Sequence, residues 1–171
     1  MLKNANSNRQ CTYHVKGISF LRKNHWTEFY DLSLSLFETA AKCALVLGDI
    51  VSLKLLSEQV INYAQSFEDT LSTLFITVCA LAYASQLPES VNRSIVVLSR
   101  LGEEMPETYS EVEIKFSIEQ TKIMLQGFSD EDLIGYKIME EKSKIMAMNF
   151  YARLELSLQM TKPVAQVSSL S

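Results

Sequence analysis

The chain holds little that bends a backbone: 5 glycines and 3 prolines in 171 residues. So few breakers exclude a fold of many short strands and tight turns, and the abundance of Leu, Met, Glu, Gln and Lys favours long helices. Cysteine is scarce too. Cys11, Cys43 and Cys79 stand far apart without metal-ligand spacing. Two of them lie in apolar helical stretches, so all three read as reduced, small hydrophobic residues of an intracellular, cytoplasmic protein. Histidine is limited to His14 and His25, neither with an acidic or cysteine partner at ligand spacing, and no metal site is expected. Positive charge is not in excess. The 16 basic residues are scattered and face 20 acidic ones, for a net charge of −4, which argues against a nucleic-acid partner. The N-terminus lacks the apolar segment of a secretory signal. The longest apolar run, 71–84, falls short of the roughly 20 residues of a membrane span and reads instead as a helix buried on most sides.

What is present suits one globular domain: 47% hydrophobic and 21% charged residues in a chain long enough to bury a real core. The expected organisation is a flexible leader over 1–10, one helical domain over 11–160 with core hairpins 25–65 and 70–102, and a flexible tail over 161–171. Tyr13, Val15, Ile18 and Leu21 are compatible with a short first helix, although Thr12 and Val15 leave a strand open. Asn24 caps a helix over 25–47, in which Phe29, Ser33, Leu36, Ala40, Ala44 and Leu47 recur on one face with Tyr30, Phe37 and Ala41 beside them. The small residues Ala40, Ala41 and Ala44 let a neighbouring helix approach closely. Gly48 suits the left-handed close of that helix and Asp49 the cap of the next, over 50–65. The turn is short, so these two form an antiparallel hairpin.

A break at 66–69 precedes a helix over 70–85, for which Glu68 or Asp69 supplies the amide acceptor. Pro88 fits the first turn of the following helix, which Gly102 ends. Pro106 marks a linker over 103–109. Ser110 and Glu113 have capping-box spacing before a helix to Leu125, with a strand over 112–118 as the alternative. Ser129 and Asp132 repeat the signature before a short helix, and the last helix is expected over 138–159. Met124, Met139, Met146, Met148 and Met160 fall after the linker and read as gap-filling packing residues.

The two turns, Gly48-Asp49-Ile50 and Ser85-Gln86-Leu87, lie 37 positions apart. That offset is near the period of a tetratricopeptide (TPR)-like helical hairpin, about 34 residues. At the position after the turn where such repeats prefer a small residue, Ser90 conforms and Leu53 does not. The expected fold is therefore all-α, with antiparallel hairpins stacked as a TPR-like solenoid of about seven helices. Two hairpins are fewer than such arrays need alone, so the flanking helices or a partner must cap them.

A closer resemblance lies in Trp26, Tyr30, Leu32 and Leu34, the Ala40-Ala41 and Ala44 positions, Gly48-Asp49, Ala64, Leu87-Pro88-Glu89-Ser90, Val97-Leu98 and Leu101-Gly102-Glu103-Glu104-Met105-Pro106. These resemble the helical region of large signalling proteins that join a serine/threonine kinase-like domain and an AAA-type predicted ATPase to GAF and histidine-kinase modules. Glu111-Val112-Glu113, Ser129 to Leu133 and Lys142 to Met148 look like its continuation. The resemblance implies a non-catalytic segment between ATPase and sensory modules. Consistently, the chain has no Gly-Lys-Ser/Thr phosphate loop, kinase catalytic loop or phosphoacceptor box.

No catalytic, cofactor or metal residue is assigned, and the chain reads as a non-enzyme. The acidic pairs at Glu103-Glu104 and Asp130 to Asp132 sit at turn signals, where carboxylates serve helix starts. Ser110 and Ser129 are caps before they are nucleophiles. Trp26 reads as a packing anchor, and Ala40, Ala44, Gly48, Asp49, Pro88, Gly102 and Pro106 as architectural residues. The first helix of each hairpin commonly lines the concave side of a stack, which offers Glu38, Lys42, Thr73 and Thr77 to a protein partner or neighbouring domain. Two rivals remain: an orphan fragment without independent function, and a small helical enzyme or ligand-binding protein with a pocket between helices.

Overall fold

The computed structural model describes residues 13, 15–103 and 111–161. The expectations for the leader over 1–10, for Cys11, His14, Glu104, Pro106 and Ser110, and for the tail beyond 161 concern residues outside these. Among the described residues the fold is all-α, without strands. After a helical stretch over 15–19 come α1 (His25–Glu28), α2 (Tyr30–Leu47), α3 (Ile50–Tyr63), α4 (Phe67–Tyr83), α5 (Leu87–Arg100), α6 (Glu111–Leu125), α7 (Asp130–Ile134) and α8 (Lys142–Thr161). About seven helices were expected, and the strand alternative over 112–118 does not form.

One closing geometry recurs at three helix ends. At the end of α2, Gly48 takes φ 72°, its amide donates to the Leu45 carbonyl at 3.1 Å, and the Asp49 amide donates to Ala44 at 2.9 Å. Ser85 repeats this at the end of α4 with φ 60°, its amide on Ala82 and the Gln86 amide on Leu81. Gly102 repeats it after α5 with φ 86°. These paired bonds satisfy carbonyls that a helix end leaves open. Asp49 caps α3 by accepting from the Ser52 amide at 3.0 Å, and Pro88 sits in the first turn of α5, both as the sequence predicts.

Three helix starts differ from expectation. The helix expected over 25–47 is broken at Phe29, where φ −136° and ψ 54° leave the helical region. The Ser33 hydroxyl spans the break, within 2.8 Å of the Phe29 carbonyl and 3.0 Å of the His25 carbonyl. That offset lets Trp26 turn inward, stacked on Tyr63 at 5.3 Å between ring centroids and tilted against Phe37 at 5.2 Å. The helix expected from Thr70 begins instead at Phe67. Its cap is Ser66, whose hydroxyl accepts from the Asp69 amide at 3.2 Å while the Asp69 carboxylate accepts from the Ser66 amide at 3.1 Å. The last helix begins at Lys142 rather than Ile138, which is exposed and has no apolar neighbour to hold a further turn in place.

Helix α4 is central. It packs on α2 and α3 on one side and on α5 and α8 on the other. On the first side Ala41 and Ala44 of α2 meet Ile76 and Ala80, with Leu53 of α3 enclosed among them. The small side chains permit the close approach, as expected for this stretch, and Ala40 is also buried. On the second side Leu71 and Val78 join Val97 and Leu98 of α5 and Phe150 and Leu154 of α8. Phe75 meets Phe150 edge-on at 5.4 Å. Ser90 is fully buried and donates to the Val78 carbonyl at 3.1 Å, so a small residue there brings α5 close to α4. Helices α6 and α7 stand outside this packed set, with Val112, Phe116, Ile118 and Ile123 of α6 exposed. Of the methionines expected to pack, only Met146 lies against the core, while Met124, Met139, Met148 and Met160 are exposed.

Candidate functional site

The two open flanks of α4 carry the functional candidates, and they differ in chemistry. The first flank is polar and lies where α2, α4 and α8 meet. Tyr30 donates to the Asp69 carboxylate at 2.8 Å and accepts from the Gln65 amide at 2.8 Å, which ties α2 to the start of α4. Burial alone would raise the Asp69 carboxyl, but bonds from Tyr30 and Ser66 and the charge of Lys142 outweigh it and hold the group below the usual carboxylate range. Glu38 behaves the other way. Burial raises its carboxyl above the ordinary value, against the opposing pull of Lys42, Lys142 and the Ser72 hydroxyl. One of its oxygens, Oε1, is buried with no hydrogen-bond partner.

Further along the same flank, the Arg153 guanidinium of α8 lies 5.3 Å from the Tyr83 ring centroid. Burial pushes the neighbouring Cys79 thiol up, with Arg153 opposing. A raised, enclosed thiol is a poor nucleophile.

The second flank of α4 is an open, largely apolar groove. Residues Thr70, Leu74, Thr77 and Leu81, at helical spacing, form its floor between walls supplied by α3 and α5. Its widest part holds about 410 Å³ between Leu53, Ser57 and Ile61 of α3 and Thr77, Leu81 and Ala84 of α4. Two hollows of about 190 and 260 Å³ continue it, sharing Leu74 and Arg100 with each other and Thr77, Arg93 or Ile61 with the first. The charged side chains on its rim are Lys54, Glu58, Arg93 and Arg100. The Ser57 hydroxyl, in the widest part, is buried without a partner.

The structure therefore divides the four residues expected to share one interaction surface. Glu38 and Lys42 are on the polar flank, Thr77 lines the groove, and Thr73 is fully buried between them with its hydroxyl unpartnered. A buried Thr73 cannot meet a partner. Lys142 and Arg153 on the polar flank, and Lys54, Ser57, Arg93 and Arg100 in the groove, are residues that sequence reasoning missed. The i, i+4, i+7, i+11 spacing of Thr70, Leu74, Thr77 and Leu81 was the one signal that marked a distinct face of α4.

One serine and histidine pair is in hydrogen-bond reach: His25 Nδ1 lies 2.9 Å from Ser33 Oγ. Ser33 is fully buried, and its single proton is directed to the Phe29 or His25 carbonyl. With its proton so directed, the hydroxyl is the acceptor toward the His25 ring. That arrangement pins α1 against α2 and leaves no free base facing the hydroxyl. Among the described residues no cluster of three or more His, Cys, Asp or Glu could hold a metal ion, and no helix is long and apolar enough to cross a membrane. No protein-family model, curated protein or solved structure matches the chain.

Proposed function

We propose that this chain is a non-catalytic helical-repeat scaffold that binds a protein partner or a neighbouring domain. The observation that carries the reading is a repeated covering relation: α4 lies across α2 and α3, and α8 lies across α4 and α5. In this reading α8 is the first helix of a third TPR-like unit, entered after α6 and α7, and supplies the cap that two hairpins require. The matching offset of Gly48 and Ser85, each in a left-handed turn, supports the same assignment. A place beside ATPase and kinase modules in cytoplasmic signalling rests on the sequence resemblance alone.

Crosslinking followed by affinity purification tests the scaffold reading, with the Glu38→Lys, Lys42→Glu double variant as a probe of the polar flank. A reproducible partner set is expected, and the double variant should lose from it only those partners held by the polar flank. Recovery of no specific partner from crosslinked cells would count against a scaffold, and an identical partner set after the charge reversal would remove the polar flank as the binding surface. The exposed apolar residues of α6 favour one alternative, a fragment that has lost its neighbour. Size-exclusion chromatography separates the two: a monomer fits the capped scaffold, and soluble aggregates fit the fragment.

A further inference from the structure

We infer that the groove between α3 and α5 is the docking site for an amphipathic helix of a partner protein whose apolar stripe is flanked by acidic residues. The inference deepens the scaffold reading and rests on it.

The shape selects a helix. Both walls run back along α4, because each joins it through a short turn, and α4 forms the floor between them. From Thr70 to Leu81 the floor is about 16 Å long at a helical rise, which accommodates three turns of a further helix. An extended peptide would fare worse there. Helices present no open ladder of amides and carbonyls, so the peptide's own backbone groups would be left over an apolar floor without partners. A helix satisfies those groups internally and presents only side chains.

The charge selects the flanking residues. Although the whole chain is acidic, the rim of this groove carries Lys54, Arg93 and Arg100 against Glu58 and the Glu89 partner of Arg93, a positive excess of one. Arg93 and Arg100 are seven positions apart on α5, about 10.5 Å along the axis, the separation of two acidic residues seven apart on a docked helix. Both guanidiniums are available. Arg93 is bound to Glu89 at 2.8 Å in a pair that is half exposed and hence easily exchanged. Arg100 rests its plane on the Phe67 ring at 3.8 Å, which orients the group and leaves its N–H edges for a carboxylate.

Fluorescence anisotropy tests the assignment with a fluorescein-labelled model helix of about 18 residues, long enough to hold helical structure. It carries Leu in the floor's i, i+4, i+7, i+11 pattern and two flanking Glu residues seven apart; a second peptide has Lys in place of Glu. The Glu peptide is expected to bind saturably, at least about tenfold tighter than the Lys peptide. The Arg93→Glu, Arg100→Glu variant should reverse that preference, and the Glu38→Lys, Lys42→Glu variant should leave it intact. Equal affinity for the two peptides would reduce the groove to a sticky surface and overturn the proposal. So would binding that is lost on reversal of Glu38 and Lys42 instead of the arginines. Partners recovered by crosslinking with a protein that binds neither peptide would leave the scaffold reading standing and remove the groove from it.

Discussion

At Ser85 the backbone takes a left-handed conformation, φ 60°, that a residue with a Cβ adopts only at a cost. Gly48 fills the equivalent place after α2, with nothing within 4 Å of where a Cβ would stand. Alignment of the two turns in the sequence pairs these positions, but the expected helix over 70–85 includes Ser85, and the left-handed backbone there is a finding of the structure. The Ser85→Gly variant is expected to stabilise the protein by about 0.5–1 kcal/mol, and Gly48→Ala to destabilise it by about 1 kcal/mol. Urea denaturation of both measures the difference, and loss of stability in Ser85→Gly would refute the strain. Glu38 carries a pH-dependent prediction. Because burial raises its carboxyl in the folded state, that state binds the proton more tightly than the unfolded chain does. The stability this gives is complete below the unfolded value, about 4.3, and is lost as pH rises through the raised folded value. Glu38→Gln should therefore increase Tm at neutral pH and leave it unchanged below about pH 4. A Tm that falls at pH 7 would show that Lys42 and Lys142 more than offset the burial.

Elements were more legible in the middle of the chain than at their starts. Apolar periodicity runs through Phe29 without interruption, so it cannot reveal a break that depends on the Ser33 hydroxyl reaching two carbonyls. At α4 the capping box was present as Ser66 and Asp69, but a carboxylate at Asp69 drew the cap three residues too far along. Of the groove, only the floor was legible, as the spacing of Thr70, Leu74, Thr77 and Leu81. The groove belongs to no single element, since α3 and α5 supply its walls and only tertiary packing sets them apart. The attachment of α8 buries Ala147, Phe150 and Leu154 against α4 and α5, and the largest of these, Phe150, meets Phe75 edge-on. Phe150→Ala is expected to cost about 3–5 kcal/mol through lost burial and the cavity left behind. Calorimetry of that variant should show a lowered transition, and an unchanged one would mean that α8 contributes little to the fold.

For the molecule as a whole, protection should follow the packing order. Amides of α4, covered by four helices, are expected to exchange slowest. Those of α6, whose described side chains face solvent, should exchange at least about a hundredfold faster. Equal protection at both would mean that another surface covers α6 in solution. The long return of the chain to α8 has a consequence for synthesis. Helices α4 and α5 are complete once Arg100 has been made, but Phe150 and Leu154 complete their shared core only from beyond Lys142. At about 5–20 residues per second, the fifty or so residues from Arg100 to Phe150 occupy the ribosome for roughly 2.5–10 s. During that interval Leu71, Val78, Val97 and Leu98 have only one another and their neighbours on α4 and α5 for cover, which makes the nascent protein dependent on whatever shields apolar surface at the exit tunnel.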